Sequence, residues 1–167
     1  ATAVGLELGL APEAMAAAFR TFPGVPHRLE QIGTVAGITW FNDSKATNYD
    51  AAAVALTALP GPLVVLAGGQ AKQGDAGDWL RLLEERARAV ILYGASRSRF
   101  ASLLEQHGYS GVVLQVDGLK EAVPQALDLA QTLAATRVLL SPACASFDQY
   151  SDFEARGEHF RQLVLNL

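Results

Sequence analysis

Short, mainly apolar runs recur along the chain and alternate with segments of helical periodicity. The runs occupy residues 63–67, 89–93, 112–116 and 137–140. Runs of this kind, without polar alternation, are typical of strands that are buried on both faces of a sheet. Helical spacing follows the first three runs at about residues 76–86, 98–107 and 119–134. The pattern predicts an α/β fold in which helices cover both faces of a mostly parallel sheet.

A different pattern precedes these runs. Residues 29–42 read as two strands separated by Ala36 and Gly37, which predicts a β-hairpin. With the later runs, the hairpin gives a sheet of about six strands. Parallel strands of such a sheet bind ligands outside their carboxyl ends. We therefore expect any functional residues in the loops that follow the strands.

Several residues indicate where helices begin. Asn48 is predicted to cap a helix over 49–56, and Asp117 is predicted to cap the helix that follows it. Pro124 lies inside that later helix and predicts a kink or a restart. A capping box over residues 151–154 predicts the start of the last helix, which continues to residue 165.

The first twenty residues have an amphipathic helical pattern that breaks before Pro12. Pro23, Gly24 and Pro26 then form a stiff connector that stops the helix. We expect a domain boundary there, so that residues 1–23 are the remnant of a preceding domain and residues 24–167 form one domain. The chain is accordingly expected to be a fragment or an excised domain.

Composition narrows the class of protein. Of the 167 residues, 50% are hydrophobic and 18% are charged, which indicates a folded globular protein. The net charge of −4 argues against a general nucleic-acid binder. Cys144 is the only cysteine, so no internal disulfide can form, and a cytoplasmic location is expected. No apolar run reaches membrane-spanning length and no signal-peptide pattern opens the chain, so no membrane association is expected.

The most informative stretch is the polar turn 42–48, which lies between a predicted strand and a predicted helix. Unpaired N–H groups and the positive end of the helix dipole favour negatively charged ligands at such a turn. Lys45 adds a full charge, and Ser44 and Thr47 add hydroxyl donors. The alternative is an ordinary loop capped by Asn48; the concentration of reactive side chains favours a site.

Two further segments allow competing interpretations. Gly68 and Gly69 could serve only to let the chain leave a strand tightly, or their loop could carry Lys72 to a phosphate on another domain. His27 and Arg28 follow the proposed boundary, where they could be surface residues of a linker or could meet a ligand at a hinge. Neither a G-x-x-x-x-G-K-[ST] loop nor a G-x-G-x-x-G fingerprint is present.

Nucleophilic catalysis has little support. Cys144 is more readily explained as a buried inert thiol, because His107 and His159 belong to other segments. Residues 94–98 lack the final glycine of a nucleophile elbow, which argues against a hydrolase.

Three segments together resemble the Mur ligases of bacterial cell-wall synthesis. They are Pro26-His-Arg28, Asn42-Asp-Ser-Lys-Ala-Thr-Asn48 and Leu140-Ser-Pro-Ala-Cys-Ala-Ser-Phe-Asp-Gln149. The likeness is greatest to the member that adds D-glutamate. It implies that residues 24–167 are a Rossmann-like, three-layer C-terminal domain that binds the amino acid. Residues 1–23 would then be the last helices of a central ATPase domain.

The resemblance also implies a reaction. The terminal carboxylate of UDP-N-acetylmuramoyl-L-alanine would be activated by ATP as an acyl-phosphate and attacked by the amine of D-glutamate, an amide-forming step of peptidoglycan synthesis. ATP and Mg²⁺ would be bound mainly by the central domain, which this chain lacks. No catalytic residue and no metal ligand are therefore expected here, and the chain alone is predicted to be inactive.

Residue roles follow from the same resemblance. D-Glutamate would be held by Lys45, Thr47, Ser146 and Phe153. The nucleotide would be faced by His27, Arg28, Asp43 and Lys72.

A rival hypothesis assigns the same turn to a protein without catalytic activity. It describes a non-catalytic Rossmann-like module that binds a small anionic metabolite around residues 42–48. A nicotinamide-dependent dehydrogenase is disfavoured, because the glycine fingerprint is missing.

Overall fold

The computed structural model describes residues 1–167. The strands are β1 (Glu30–Val35), β2 (Ile38–Asn42), β3 (Leu63–Gly68), β4 (Gln70–Ala71), β5 (Ala87–Tyr93), β6 (Val112–Gln115), β7 (Arg137–Leu140) and β8 (Cys144–Ala145). The helices are α1 (Thr2–Glu7), α2 (Pro12–Thr21), α3 (Tyr49–Ala58), α4 (Gly77–Arg86), α5 (Arg97–His107), α6 (Leu119–Thr132) and α7 (Phe153–Leu165).

Six strands form one sheet in the order β1-β2-β7-β3-β5-β6. Only the β1–β2 pair is antiparallel; the other neighbours are parallel. This confirms the predicted mostly parallel sheet with an N-terminal hairpin. The parallel strands bring the loops after β2, β3, β5 and β7 to one edge of the sheet, where ligands bind in folds of this type.

Helices cover both faces of the sheet, which gives three layers. On one face Tyr49, Trp79 and Phe100 pack together, with ring centroids 4.9 to 5.8 Å apart. On the other face Trp40 packs against Phe160 of α7 at 6.1 Å. Strand β3 is buried along its whole length, because side chains on both of its faces meet a helical layer. The prediction that the run at residues 112–116 is buried in the same way is wrong, because this run forms the edge strand β6, where Val112 and Val113 are exposed.

The predicted hairpin is confirmed. Ala36 and Gly37 connect β1 to β2 with φ values of 52° and 80°. Two successive positive φ values characterise the tight turn whose twist matches that of a two-stranded ribbon.

The predicted helix starts had different outcomes. Asn48 caps α3 as predicted, accepting a hydrogen bond from the Ala51 N–H at 2.8 Å. The prediction for Asp117 is wrong, since Gly118 precedes α6 and the Asp117 carboxylate pairs with Arg97 at 3.1 Å. At the start of α7, Asp152 accepts from the backbone N–H of residue 155 at 2.7 Å.

The predicted capping box is therefore wrong, because its cap lies one residue later than expected. Ser151 donates its hydroxyl to the Asp152 carboxylate instead of capping the helix. A carboxylate also interacts more favourably than a hydroxyl with the positive helix end.

The helix does not restart at Pro124, because α6 runs unbroken from Leu119 to Thr132. A proline removes the hydrogen bond to the carbonyl four residues earlier. Pro124 and Lys120 both lie on the exposed side of the helix, where water can solvate that carbonyl.

Helices α1 and α2 pack against each other through Gly5 and the side chain of Met15, and the apolar side chains of Val4, Leu6 and Phe19 remain exposed. The division of the chain at residue 23 stays a prediction. None of the helices has both the length and the apolar character required to span a membrane.

Candidate functional site

The turn after β2 is held from beneath by helix α7. The Asn42 side chain accepts from the Ser44 N–H at 3.1 Å and donates to the Gly157 carbonyl at 3.2 Å. These two bonds fix the amide orientation, so the Asn42 amino group also donates to Nδ1 of His27 at 2.9 Å. The Nδ1 atom of His27 is therefore the acceptor of this hydrogen bond. The His27 side chain is buried and packs against α7 beside Gly157.

A cleft of about 330 Å³ opens beside this turn. It is lined by every residue assigned to the amino-acid ligand from the sequence, and by one residue assigned to the nucleotide. The lining includes Lys45, Thr47, Lys72, Ser146 and Phe153. Two ammonium groups and two hydroxyls share this cavity with the carboxylates of Asp152 and Glu154; Asp152 already caps α7, and Glu154 is exposed. The two ammonium groups suit a small ligand that carries negative charge.

Lys45 is oriented by an aromatic ring. Its Nζ atom lies 3.6 Å from the centroid of the Phe153 ring, which is within cation–π range. The ring of Phe153 in turn meets the His27 imidazole edge-on, with centroids 6.2 Å apart. Phe153 therefore both walls the cleft and holds the lysine.

The two short strands that join the loops were not predicted from the sequence. Strand β4 pairs with β8 in antiparallel fashion, Gln70 with Ala145 and Ala71 with Cys144. This pairing fastens the loop that carries Lys72 to the segment that carries Ser146.

The glycines before β4 allow that pairing. Gly68 and Gly69 have φ values of 145° and 121°, which favour glycine. A Cβ atom at Gly69 would collide with the Ala145 carbonyl oxygen. The interpretation of these glycines as a tight strand exit is supported, and the same exit places Lys72 in the cleft.

A second cleft, of about 290 Å³, lies next to the first. Arg28, Asp43 and Lys45 are among its lining residues. Asp43 accepts from the Leu29 N–H at 3.1 Å and from the Ser141 hydroxyl at 3.0 Å. Burial nevertheless raises the pKa of Asp43 to about 6, because these hydrogen bonds and the Arg28 charge offset only part of the desolvation.

The residues assigned to the nucleotide are thus not all together. Arg28 and Asp43 share the second cleft, and Lys45 lies between the two clefts. Lys72 lines the first cleft, and His27 is packed against α7. Lys72 and His27 therefore do not line the cleft that Arg28 and Asp43 share, and the assignment of all four to the nucleotide stays a prediction.

One residue of the site was missed. Arg156 is fully buried beneath the two clefts, where it donates hydrogen bonds to Ser44 and to the Cys144 carbonyl. A signal was present in the sequence. Arg156 lies three residues after Phe153 and four before Phe160, so it falls on the apolar face of a helix.

Cys144 is buried, as expected for an inert thiol. Burial raises the pKa of Cys144 to about 11, which keeps the thiol protonated at neutral pH. His159 is hydrogen-bonded through Nδ1 to the Tyr150 hydroxyl at 2.8 Å. Nothing in this arrangement activates the thiol as a nucleophile.

Comparison with known proteins assigns the chain to a family. Residues 27–144 match the family described as Mur ligase, glutamate ligase domain. The chain belongs to this family. The match includes the turn, the Lys72 loop and the second cleft, and it ends just before Ser146.

Curated relatives in the Mur ligase family are considerably longer than this chain. The chain is 61% identical over 163 residues to a UDP-N-acetylmuramoylalanine–D-glutamate ligase of Synechococcus sp. (strain CC9605), covering 98% of this chain and 35% of that protein. It is 55% identical to the enzyme of the same name from Prochlorococcus marinus (strain MIT 9313), with the same coverage. The chain thus spans about a third of the length of these relatives.

Solved structures with the same fold include other ligases. Folylpolyglutamate synthase of Mycobacterium tuberculosis, complexed with ADP and AMPPCP, superposes with a TM-score of 0.66 at 20% identity, covering 94% of this chain and 37% of that one. UDP-N-acetylmuramate-alanine ligase of Thermotoga maritima gives 0.61 at 16% identity, covering 98% and 36%. At these identities the likeness concerns the fold alone.

Proposed function

We propose that this chain is the D-glutamate-binding, C-terminal domain of an ATP-dependent ligase that acts on UDP-N-acetylmuramoyl-L-alanine in peptidoglycan synthesis. The observation that carries the proposal is the cleft of about 330 Å³ with Lys45 and Lys72 on its walls. Membership of the Mur ligase, glutamate ligase domain family and the names of the relatives support this choice of ligand. The domain boundary after residue 23 and a cytoplasmic location belong to the same proposal.

The chemistry of the cleft suits a dicarboxylate. Lys45 and Lys72 supply one positive charge for each carboxylate of glutamate. Thr47 and Ser146 supply hydroxyl donors, and Phe153 covers the carbon chain of the ligand. This assignment moves Lys72 from the nucleotide to the amino acid, because it shares a cavity with Ser146 and not with Arg28.

The domain contributes to catalysis by positioning the amine of D-glutamate. An amine held in one orientation beside an activated carboxylate reacts far faster than a free amine, because the entropy of encounter has already been lost on binding. The electrophile, the acyl-phosphate of UDP-N-acetylmuramoyl-L-alanine, would form at a site on the rest of the protein. The turn holds the nucleophile and does not activate the electrophile.

Arg28 and Asp43 would approach the nucleotide from the second cleft, with His27 holding the turn behind them. A guanidinium is well suited to bind phosphate oxygens. No group of three or more carboxylate, histidine or cysteine side chains lies together in this chain, and the sequence has no G-x-x-x-x-G-K-[ST] loop for the phosphates that Mg²⁺ accompanies. ATP and Mg²⁺ are accordingly assigned to the remainder of the full-length protein.

The test is amide formation by the full-length protein that contains this chain. Release of phosphate should require ATP, UDP-N-acetylmuramoyl-L-alanine and D-glutamate together, and L-glutamate is the matched control. If phosphate release does not depend on D-glutamate, the proposal is wrong. Binding of D-glutamate without turnover would favour the non-catalytic module that binds a small anionic metabolite.

A further inference from the structure

Arg156 lies in an environment that is unusual for a charged side chain. It is fully buried, and none of the ion pairs of the structure includes it. Burying a guanidinium without a carboxylate partner opposes folding, and an apolar side chain on the same helix face would avoid that cost. The position therefore calls for an explanation beyond packing.

All the hydrogen bonds of the Arg156 guanidinium go to uncharged oxygen atoms, in the turn after β2 and in strand β8. Its Nε donates to the Ser44 hydroxyl at 2.9 Å, and its Nη2 donates to the Ser44 carbonyl at 2.8 Å. Its Nη1 donates to the Cys144 carbonyl at 3.0 Å. Two bonds to Ser44 set both the distance and the angle of the turn, because the planar guanidinium holds its donors in a rigid fork.

These contacts reach three segments that line the first cleft. Ser44 directly precedes Lys45 and also donates its hydroxyl to the Phe153 carbonyl at 2.8 Å. Cys144 lies in β8, which leads directly into Ser146. The guanidinium therefore connects, from beneath, the parts of the chain that carry the lysine, the aromatic wall and the hydroxyl of the cleft.

We propose that Arg156 is a positioning residue for D-glutamate binding, an inference that rests on the proposed function. It holds the Lys45 turn and the Ser146 segment at the separation that a dicarboxylate requires. It touches neither the ligand nor the reacting atoms. A side chain that keeps the charge but lacks the fork cannot make all three bonds at once.

The test is the variant Arg156→Lys in the full-length protein. The KM for D-glutamate should rise about tenfold, because the charge-assisted bonds that align the lysine are lost. The KM for ATP should change less than about twofold, because Asp43 is held by Leu29 and Ser141 and not by Arg156. The matched control is Arg161→Lys on the same helix, which alters a salt bridge to Glu30 and should leave both KM values unchanged.

Ser44→Ala provides a second measurement should Arg156→Lys fail to fold. It removes the hydroxyl that connects Arg156 to Phe153 but keeps the backbone contact, so the KM for D-glutamate should rise about threefold. The positioning role is overturned by an unchanged KM for D-glutamate in either folded variant, or by an equal rise in the KM for ATP. A wild-type protein with no D-glutamate-dependent turnover would instead overturn the proposed function.

Discussion

The ammonium group of Lys45 lies 3.6 Å above the ring of Phe153. No carboxylate of the chain pairs with this lysine. The ring face attracts the charge without neutralising it, so the lysine is oriented and still available to an anion. A lysine held in this way suits the proposed role of binding a carboxylate, and the first two predictions test that role.

Lys45→Ala in the full-length protein should raise the KM for D-glutamate by about tenfold or more, since a hydrogen bond to a charged group is lost. Steady-state kinetics at saturating ATP measure this. Lys120→Ala is the control, because Lys120 is exposed on α6 and does not line either cleft. An unaltered KM for D-glutamate would show that Lys45 does not bind this substrate.

Phe153→Leu keeps an apolar wall but removes the ring that holds the lysine. We expect the KM for D-glutamate to rise about fivefold, in line with the strength of a partly buried cation–π contact. Phe153→Trp retains a ring and should preserve more of the affinity. Equal KM values for the leucine and tryptophan variants would show that the ring makes no electrostatic contribution.

Asp43→Asn should stabilise the domain in a pH-dependent way. Folding raises the pKa of Asp43 from 3.8 to about 6, so the folded protein binds this proton more tightly than the unfolded chain does. The ionised carboxylate therefore lowers the free energy of unfolding above pH 6, and stability is regained as the pH falls from 6 towards 3.8.

Urea denaturation at two pH values measures this effect. The stability gained by Asp43→Asn should be larger at pH ~7.5 than at pH ~4.5 by about 2 kcal/mol. The wild-type domain is the reference at each pH. A gain that is the same at both pH values would contradict the raised pKa.

Gly69→Ala should destabilise the domain by about 2–4 kcal/mol, because a positive φ and a collision with the Ala145 carbonyl act together. Gly33→Ala is the control; nothing lies within 4 Å of a Cβ at that position, and its effect should stay within about 0.5 kcal/mol. Chemical denaturation compares the two variants. Similar stabilities would show that the β4–β8 pairing does not depend on Gly69.

The chain of residues 1–167 by itself should neither hydrolyse ATP nor form amide product, because it contains no G-x-x-x-x-G-K-[ST] loop. The assay compares phosphate release by the isolated chain with that by the full-length protein. NMR titration of the isolated chain with D- and L-glutamate should detect weak binding at best. Full turnover by the isolated chain would contradict the assignment of ATP to the remainder of the protein.

The sequence by itself determined the sheet, because its buried strands are continuous apolar runs and its hairpin turn is Ala36-Gly37. It also indicated the 42–48 turn, since polar donors and a lysine between a strand and a helix are a local signal. Helix ends were less well predicted. The cap of α6 is Gly118 and not Asp117, and the cap of α7 is Asp152 and not Ser151; backbone geometry makes that choice.

The grouping of distant residues was decided by the tertiary structure alone. Lys72 joins Ser146 because β4 pairs with β8 across a long sequence separation, and strands of two residues leave almost no periodic signal. The contacts of Arg156 were likewise decided by the tertiary structure. A lone arginine on an apolar helix face shows only that something buried must accept its hydrogen bonds. Those acceptors proved to be Ser44, in the turn after β2, and Cys144, in strand β8.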